Sequence, residues 1–355
     1  MSRLKMVITG AAGLTALILL VLGGFVLWLS VNEYKPAPQE PVHVSGGVSL
    51  MPSRFQPIEL YSWNIGYASL DASQDFFMDG GKGVRPPTDR NVGENIWAIQ
   101  AFLASAAGDI IFLQEVDSKA KRSYGVDQAD YFSQTWKGSS AFAVNYRCPF
   151  VPVPFPRFIG NVESGLLTLN SYAVSAAQRV ALPGAFSWPT RIAQLKRCLL
   201  VERVPIQNSA AELVLVNLHL EAYDSGGGRR EQTRALAEFL KTEYAAGNYC
   251  VAGGDFNQVF PAFKDVYPAG TSGYFTPAVL EDSLFGEGWT FAADPSAPSC
   301  RALDRPYDGA REGRDFYIID GFILSPNVEL ISAKTIDLDF INSDHNPVKL
   351  TFTLQ

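Results

Sequence analysis

Histidine is scarce in this chain: His43, His219 and His345 are the only three among 355 residues. The four cysteines, Cys148, Cys198, Cys250 and Cys300, show none of the paired spacings that hold zinc. A thiolate metal centre is therefore not expected. Basic charge is also short. Lys and Arg number 29 against 36 Asp and Glu, a net charge of −7, and leaving out Arg3 and Lys5 takes the remainder to −9. Such a surface repels long polyanions, which argues against strong non-specific nucleic-acid binding. No internal repeat is present, so a solenoid or propeller is not expected.

What is present first is one long apolar run. "MVITGAAGLTALILLVLGGFVLWLS" (6–30) carries no charge and is long enough to span a bilayer as a helix. Arg3 and Lys5 precede it, which predicts a cytoplasmic stub at 1–5, a transmembrane signal anchor at 6–30 and an extracytoplasmic remainder. Cleavage and secretion is the alternative. It is disfavoured because Trp28 occupies a place that a cleavage site needs small. Residues 31–55, rich in Pro, Gly and Ser, read as a linker that includes His43. The folded domain is expected at 56–355. Cys198 and Cys250 fall in strand-like runs and read as buried thiols, whereas Cys148 and Cys300 lie in loop-like sequence and are candidates to pair outside the cell.

Beyond residue 57 apolar strands alternate with a few helices. "IELYSWNIGY", "DIIFLQEV", "SGLLTLNSY", "CLLVERV", "AELVLVNLHL", "NYCVAGGDF" and "FYIIDGFIL" read as strands. "NVGENIWAIQAFLASA" and "GRREQTRALAEFLKTEYAAG" have helical spacing. "FINSDHNPVKLTF" (340–352) closes the domain. From Val348 it alternates as a half-buried strand, while Asp344 and His345 precede it in a loop. Pro347 suits the first residue of that strand.

Most of these strands end on an unusual polar residue: Asn64, Glu115, His219, Asp255 with Asn257, Asp320, and Asp344 with His345. Any one alone reads as a cap, a turn or a satisfied core group. Together they would be costly to bury unless paired with one another or with a cation. Hard oxygen ligands with two imidazoles are what Mg²⁺-assisted phosphoester hydrolysis requires.

The segments "SWNIG", "IIFLQEVD", "VNLHLEAYD", "GGDFN", "YIIDGFILS" and "SDHNPV", in this order, resemble the endonuclease/exonuclease/phosphatase superfamily with its deoxyribonuclease I-like fold. The resemblance implies an α+β sandwich of four layers, with two mixed sheets face to face and helices outside, preceded here by one transmembrane helix. It implies Mg²⁺, with Mn²⁺ as a substitute. Glu115 matches the principal metal ligand, with Asn64 beside the ion and Asp344 as a further metal contact. Asp255 and Asn257 match the residues that position water and phosphate, and His219 the phosphate-contacting histidine. His345, oriented by Asp320, is favoured as the base over Asp255. Two departures stand out: Gly66 replaces a carboxylate found in some nucleases of the family, and "SGLLTLNSY" lacks the family's basic residue.

Arg301 and Arg305, in "CRALDRPYDGAREGRD", are weaker candidates for substrate phosphate, because the segment's own acids nearly neutralise them. The expected activity is membrane-tethered phosphodiesterase or phosphatase action on a lipid headgroup or small phosphoester. An extracellular nuclease is the alternative, and a non-catalytic binding protein is the least favoured reading. No protein partner is implied.

Overall fold

Strands with apolar residues on both faces lie at the centre of the structure, a computed structural model that describes residues 3–184, 186–223, 227–267 and 273–355. In Ile110–Asp117, Ile110 and Phe112 face the opposite sheet, while Ile111 and Leu113 face the helices outside. In Glu212–His219 and Tyr249–Asp255, Leu213, Leu215 and Val251 point inward, and Val214, Val216, Cys250 and Ala252 point outward. Burial on both faces explains why these segments read as continuous apolar runs rather than alternating ones.

Two seven-stranded mixed sheets result. The first runs, in spatial order, Val328–Thr335, Val348–Leu354, Ile58–Asn64, Ile110–Asp117, Gly160–Asn170, Ser139–Val151 and Val44–Ser45. The second runs Gln39–Val42, Ala176–Ala181, Cys198–Pro205, Glu212–His219, Tyr249–Asp255, Asp320–Leu324 and Thr290–Ala292. Each has one parallel pair at its centre: Ile58–Asn64 with Ile110–Asp117, and Glu212–His219 with Tyr249–Asp255. The sheets meet through Leu60, Phe112, Leu350 and Phe352 on one side and Leu215, Val251, Phe322 and Leu324 on the other. Helix Asp89–Ala106 covers the first sheet with Val92, Ile96, Ile99 and Leu103, and helix Gly228–Ala245 covers the second with Leu236, Ala237 and Leu240. These are the four layers the resemblance implied.

Two expectations change. Residues 31–55, read as a linker, contribute edge strands to both sheets: Gln39–Val42 pairs with Ala176–Ala181, and Val44–Ser45 with Ser139–Val151. Such strands need backbone pairing on one side only, so hydrophobic periodicity does not reveal them, and Pro41 is compatible with an edge. Cys148 and Cys300 do not pair. All four thiols are free and buried, Cys148 beside Tyr146 and Val151, and Cys300 beside Tyr317 and Ile319.

At the N-terminus, helix Arg3–Val31 contains one stretch, Val7–Val31, that is long and apolar enough to cross a membrane or act as a signal, with mean hydropathy 2.5. The stub at 1–5 lies partly outside the described residues. Phe112 is wholly enclosed between the sheets. Phe112→Ala is expected to cost about 3–5 kcal/mol, read as a lower midpoint in chemical denaturation.

Candidate active site

The polar strand ends converge because the parallel pair at the centre of each sheet terminates on the same side. Asn64 ends one such strand, His219 and Asp255 end two others in register, and Asp320 lies opposite Asp255. Several of these positions need unusual backbone. The register shifts between Leu113 and Val116, and Glu115 adopts φ 54°, which turns its carboxylate out of the ladder. Asn257 has φ 50°. Gly254 has φ 145°, and a Cβ there would meet Leu218 O at 1.9 Å, so no side chain fits where this strand passes the His219 strand.

Asp255 is the common neighbour. Its Oδ2 accepts from Asn64 Nδ2 at 3.0 Å and lies 3.4 Å from His219 Nε2 and 3.8 Å from His345 Nε2. Its Oδ1 accepts from the backbone amide of Asn257 at 2.8 Å. Behind His345, Asp320 Oδ2 stands 2.8 Å from Nδ1 and also accepts from Ser299 Oγ at 2.7 Å. His345 Nε2 therefore faces Asp255 and, at 4.0 Å, Asp344. Trp63 Nε1 donates to the His345 carbonyl at 2.8 Å, and Ser343 Oγ donates to the Asn64 carbonyl at 2.8 Å. The Asp344–His345 loop is thereby tied to the Asn64 strand.

Burial sets the charges. Burial and the neighbouring Asp320 push Asp255 up to about 7, against the pull of His345. Asp344 is pushed up to about 6 by burial and by Glu115, again against His345. For His345 burial disfavours the charged form, but Asp320 and its hydrogen bond outweigh it and raise the imidazole well above its ordinary value. His219 goes the other way: burial, Arg197 and His345 together hold it neutral. Its Nδ1 and the Oδ1 of Asp320 find no hydrogen-bond partner among the described residues.

The carboxylates Glu115, Asp344 and Asp255 border one cavity of about 590 Å³ together with His219 and His345. This is a hard-oxygen donor set of the kind Mg²⁺ takes. Two triads centred on His345 also bring ligand-type atoms together, Asp255–Asp320–His345 and Cys300–Asp344–His345. A metal ion displaces the protons of such groups, so these triads and the cavity carboxylates Glu115 and Asp344 both offer donors of the required kind. Asn64 turns its amide nitrogen to Asp255 and to Glu115 Oε1 at 3.2 Å, and its oxygen accepts from Gly66 N. It stands beside the carboxylates as a donor that spaces them.

Asn257 sits at the cavity but commits its side-chain NH₂ to the Leu220 carbonyl at 3.0 Å. Of the weaker candidates, Arg301 lines the cavity, yet it is buried and its guanidinium holds the carbonyls of Asp71 and Gln74 at 2.8 and 3.2 Å. Arg305 is not brought to the site; it is exposed and bonds Asp304 and the Gly313 carbonyl. The Nε of Arg301 finds no hydrogen-bond partner among the described residues, so of the two arginines it is the one the structure keeps near the site. Residues the sequence did not single out include Ser299, which holds Asp320, and the Asp79–Tyr223 pair in the cavity wall. Asp79 is pushed up to about 6 by burial. Tyr223 follows directly in "HLEAYD", the one signal that could have marked it.

The family model for the endonuclease/exonuclease/phosphatase family matches residues 61–345, most of the chain. The chain belongs to that family. Its members are generally phosphoester-hydrolysing enzymes that use divalent metals, and the clusters just described are of a kind that could bind one. Among solved structures, a family protein from Beutenbergia cavernae is 18% identical with a TM-score of 0.59, covering 84% of this chain and 72% of that one. One from Bacteroides vulgatus is 16% identical with a TM-score of 0.54, covering 84% and 100%. The human nocturnin catalytic domain, with bound sulfate, is 17% identical with a TM-score of 0.51, covering 89% and 99%. At these identities the likeness is one of fold, and it establishes the deoxyribonuclease I-like sandwich. No curated protein matches the chain.

Asp255 and Asp344 both have folded values above the ~4 of an unfolded carboxyl. Their favourable contribution is therefore complete below about pH 4 and lost as pH rises towards 7. A divalent ion opposes that loss. The Tm gain from Mg²⁺ is expected to be small at pH 5 and larger at pH 8, by differential scanning fluorimetry; equal gains at both would remove Asp344 from the ion site and Asp255 from its neighbourhood.

Proposed function

We propose that this protein hydrolyses a phosphoester with the help of Mg²⁺ or Mn²⁺, outside the membrane to which helix Val7–Val31 fastens it. The observation that supports this best is the meeting of Asn64, His219 and His345 on the single buried carboxylate Asp255. The bound ion would neutralise charge developing on the phosphoryl oxygens, held by Glu115 and Asp344. His345 keeps one N–H on Asp320 and, being charged, directs the other at a phosphoryl oxygen. Asp255, with a value of about 7, suits the proton acceptor for the attacking water at neutral pH. This exchanges the roles expected from sequence, where His345 was favoured as the base. Neutral His219 contributes a second contact to the substrate, and Asn64 and Asn257 hold Asp255 in place.

The orientation follows Arg3 and Lys5, which favour a cytoplasmic N-terminus. A lipid headgroup or small phosphoester suits an acidic domain better than nucleic acid does.

Full-length protein in detergent is expected to cleave bis(p-nitrophenyl) phosphate with Mg²⁺ or Mn²⁺, and EDTA should abolish this. His345→Ala should lower kcat by about 100-fold or more. Unchanged activity in that variant would sink the site assignment. Asp255→Asn should remove the rise in rate between pH 6 and 8. A parallel panel of DNA, RNA, phospholipids and phosphate monoesters assigns the substrate class.

A further inference from the structure

The apolar helix does not leave the domain on a loose tether. Its last two turns lie on the rim of the catalytic cavity, and Phe25, Val26 and Leu29 line the same space as His219, Asp255 and His345. Leu29 is only 5% exposed. Phe25 meets Phe150 edge-on at 5.9 Å, and Trp188 Nε1 donates to Ser30 Oγ at 3.1 Å. Just beyond, Glu33 accepts from Arg191 and Lys196 at 3.2 and 3.0 Å. The helix end is thus fixed to the domain by apolar, hydrogen-bonding and ionic contacts.

The length of the helix sets its level. Twenty-five residues, Val7–Val31, at ~1.5 Å each reach about 37 Å, beyond a hydrocarbon core of ~30 Å. The last turn therefore emerges among the headgroups, and the cavity rim emerges with it. The surface on this side of the domain carries large exposed aromatics. Phe155 is 85% exposed and Trp188 54% exposed, and Phe155 stacks edge-on with Phe158 at the tip of the proline-punctuated segment. Arg157 and Lys82 are exposed beside it, the former donating to the carbonyl of the latter at 3.2 Å. Aromatic and basic residues together are the composition of a surface that sits at the membrane interface. Between this rim and the carboxylates the wall is Phe77, Val151, Ile159, Ile192 and Leu303, far more apolar than a phosphate group needs.

We infer that the substrate is a membrane lipid phosphoester. Its phosphate lies at His345 and Asp255, its tail lies along the apolar wall, and it enters from the bilayer past Phe25 and Leu29 while Phe155 and Trp188 rest in the interface. The inference rests on the hydrolase reading above and names the substrate class for that site. In the reaction the water oxygen bonds to phosphorus and the ester P–O bond breaks. The electron pair leaves on the ester oxygen, which takes a proton from solvent water, and Asp255 receives the proton lost by the attacking water and returns it to solvent.

The test uses the full chain reconstituted in phospholipid vesicles, with and without Mg²⁺, and assays two substrates side by side: the vesicle lipid, by release of phosphorylated headgroup or phosphate, and water-soluble bis(p-nitrophenyl) phosphate. Wild type is expected to cleave both. The variant Phe155→Asp, whose side chain is 85% exposed and stands outside the cavity, should lose at least tenfold on vesicle lipid, keep its rate on the soluble ester and retain its Tm. In p-nitrophenyl alkyl phosphates, each added methylene should lower KM about fourfold until the apolar wall is filled. If wild type cleaves the soluble ester but no lipid, or if KM is indifferent to chain length, the lipid inference is overturned while the hydrolase reading stands. A variant that loses both activities equally, or neither, also overturns it. If neither substrate is cleaved, it is the hydrolase reading that fails.

Discussion

One carboxylate, Asp255, is held at the end of a buried strand with only its tip at the cavity, and the neighbouring elements are arranged around that charge. Asn64 donates to it from the other sheet, the Asn257 backbone from the turn that follows, and two imidazoles stand within 4 Å. A buried acid is tolerable only when such partners meet it or when it takes a proton. Here both apply in part, which places its titration near neutrality. The histidines divide accordingly. His345, backed by Asp320, carries charge, while His219, beside Arg197, does not. Two identical side chains a few ångströms from the same acid are given opposite protonation states by what stands behind each.

That arrangement depends on the sheets meeting closely at their centres. The strand bearing Asp255 runs parallel to the His219 strand and antiparallel to the Asp320 strand. Gly254 pairs with Gly321, and the absence of a Cβ at 254 allows the Leu218 carbonyl to pass where a side chain would stand. The inter-sheet core then fixes the distance from Asn64 to Asp255. Rigidity of the site is in this sense a property of Leu60, Phe112, Val251 and Phe322 as much as of the polar residues themselves.

Much of this could be read from the residues. Strands buried on both faces announce themselves as runs of Ile, Leu and Val, and a polar residue at the end of such a run is conspicuous. His219 and Asp320 were visible for that reason. The Asp344–His345 pair was legible as a loop delivering side chains, because Pro347 and the alternation from Val348 mark where the strand starts. Other features carried no such mark. Protonation states depend on what lies behind each group in space, so the charge of His345 could not be read from "SDH". Ser299 acts through a hydroxyl on Asp320 across 21 residues of chain. Arg301 and Arg305 were weak candidates from sequence; the first lines the cavity while holding the carbonyls of Asp71 and Gln74, and the second is exposed away from it, a difference that only the path of the chain decides. Backbone pairing at a sheet edge leaves almost no trace in composition, which is why 39–45 read as linker.

Those edge strands have a mechanical meaning. Between the apolar helix and the first core strand, the chain pairs with the edge of one sheet at Gln39–Val42 and, two residues later, with the edge of the other at Val44–Ser45. A single strap thus crosses the sandwich and clasps both of its layers. This segment cannot shift relative to the sandwich unless strands peel from two sheets at once. One segment of chain therefore fastens the outer edges of the two layers to each other, far from the polar residues at their centres.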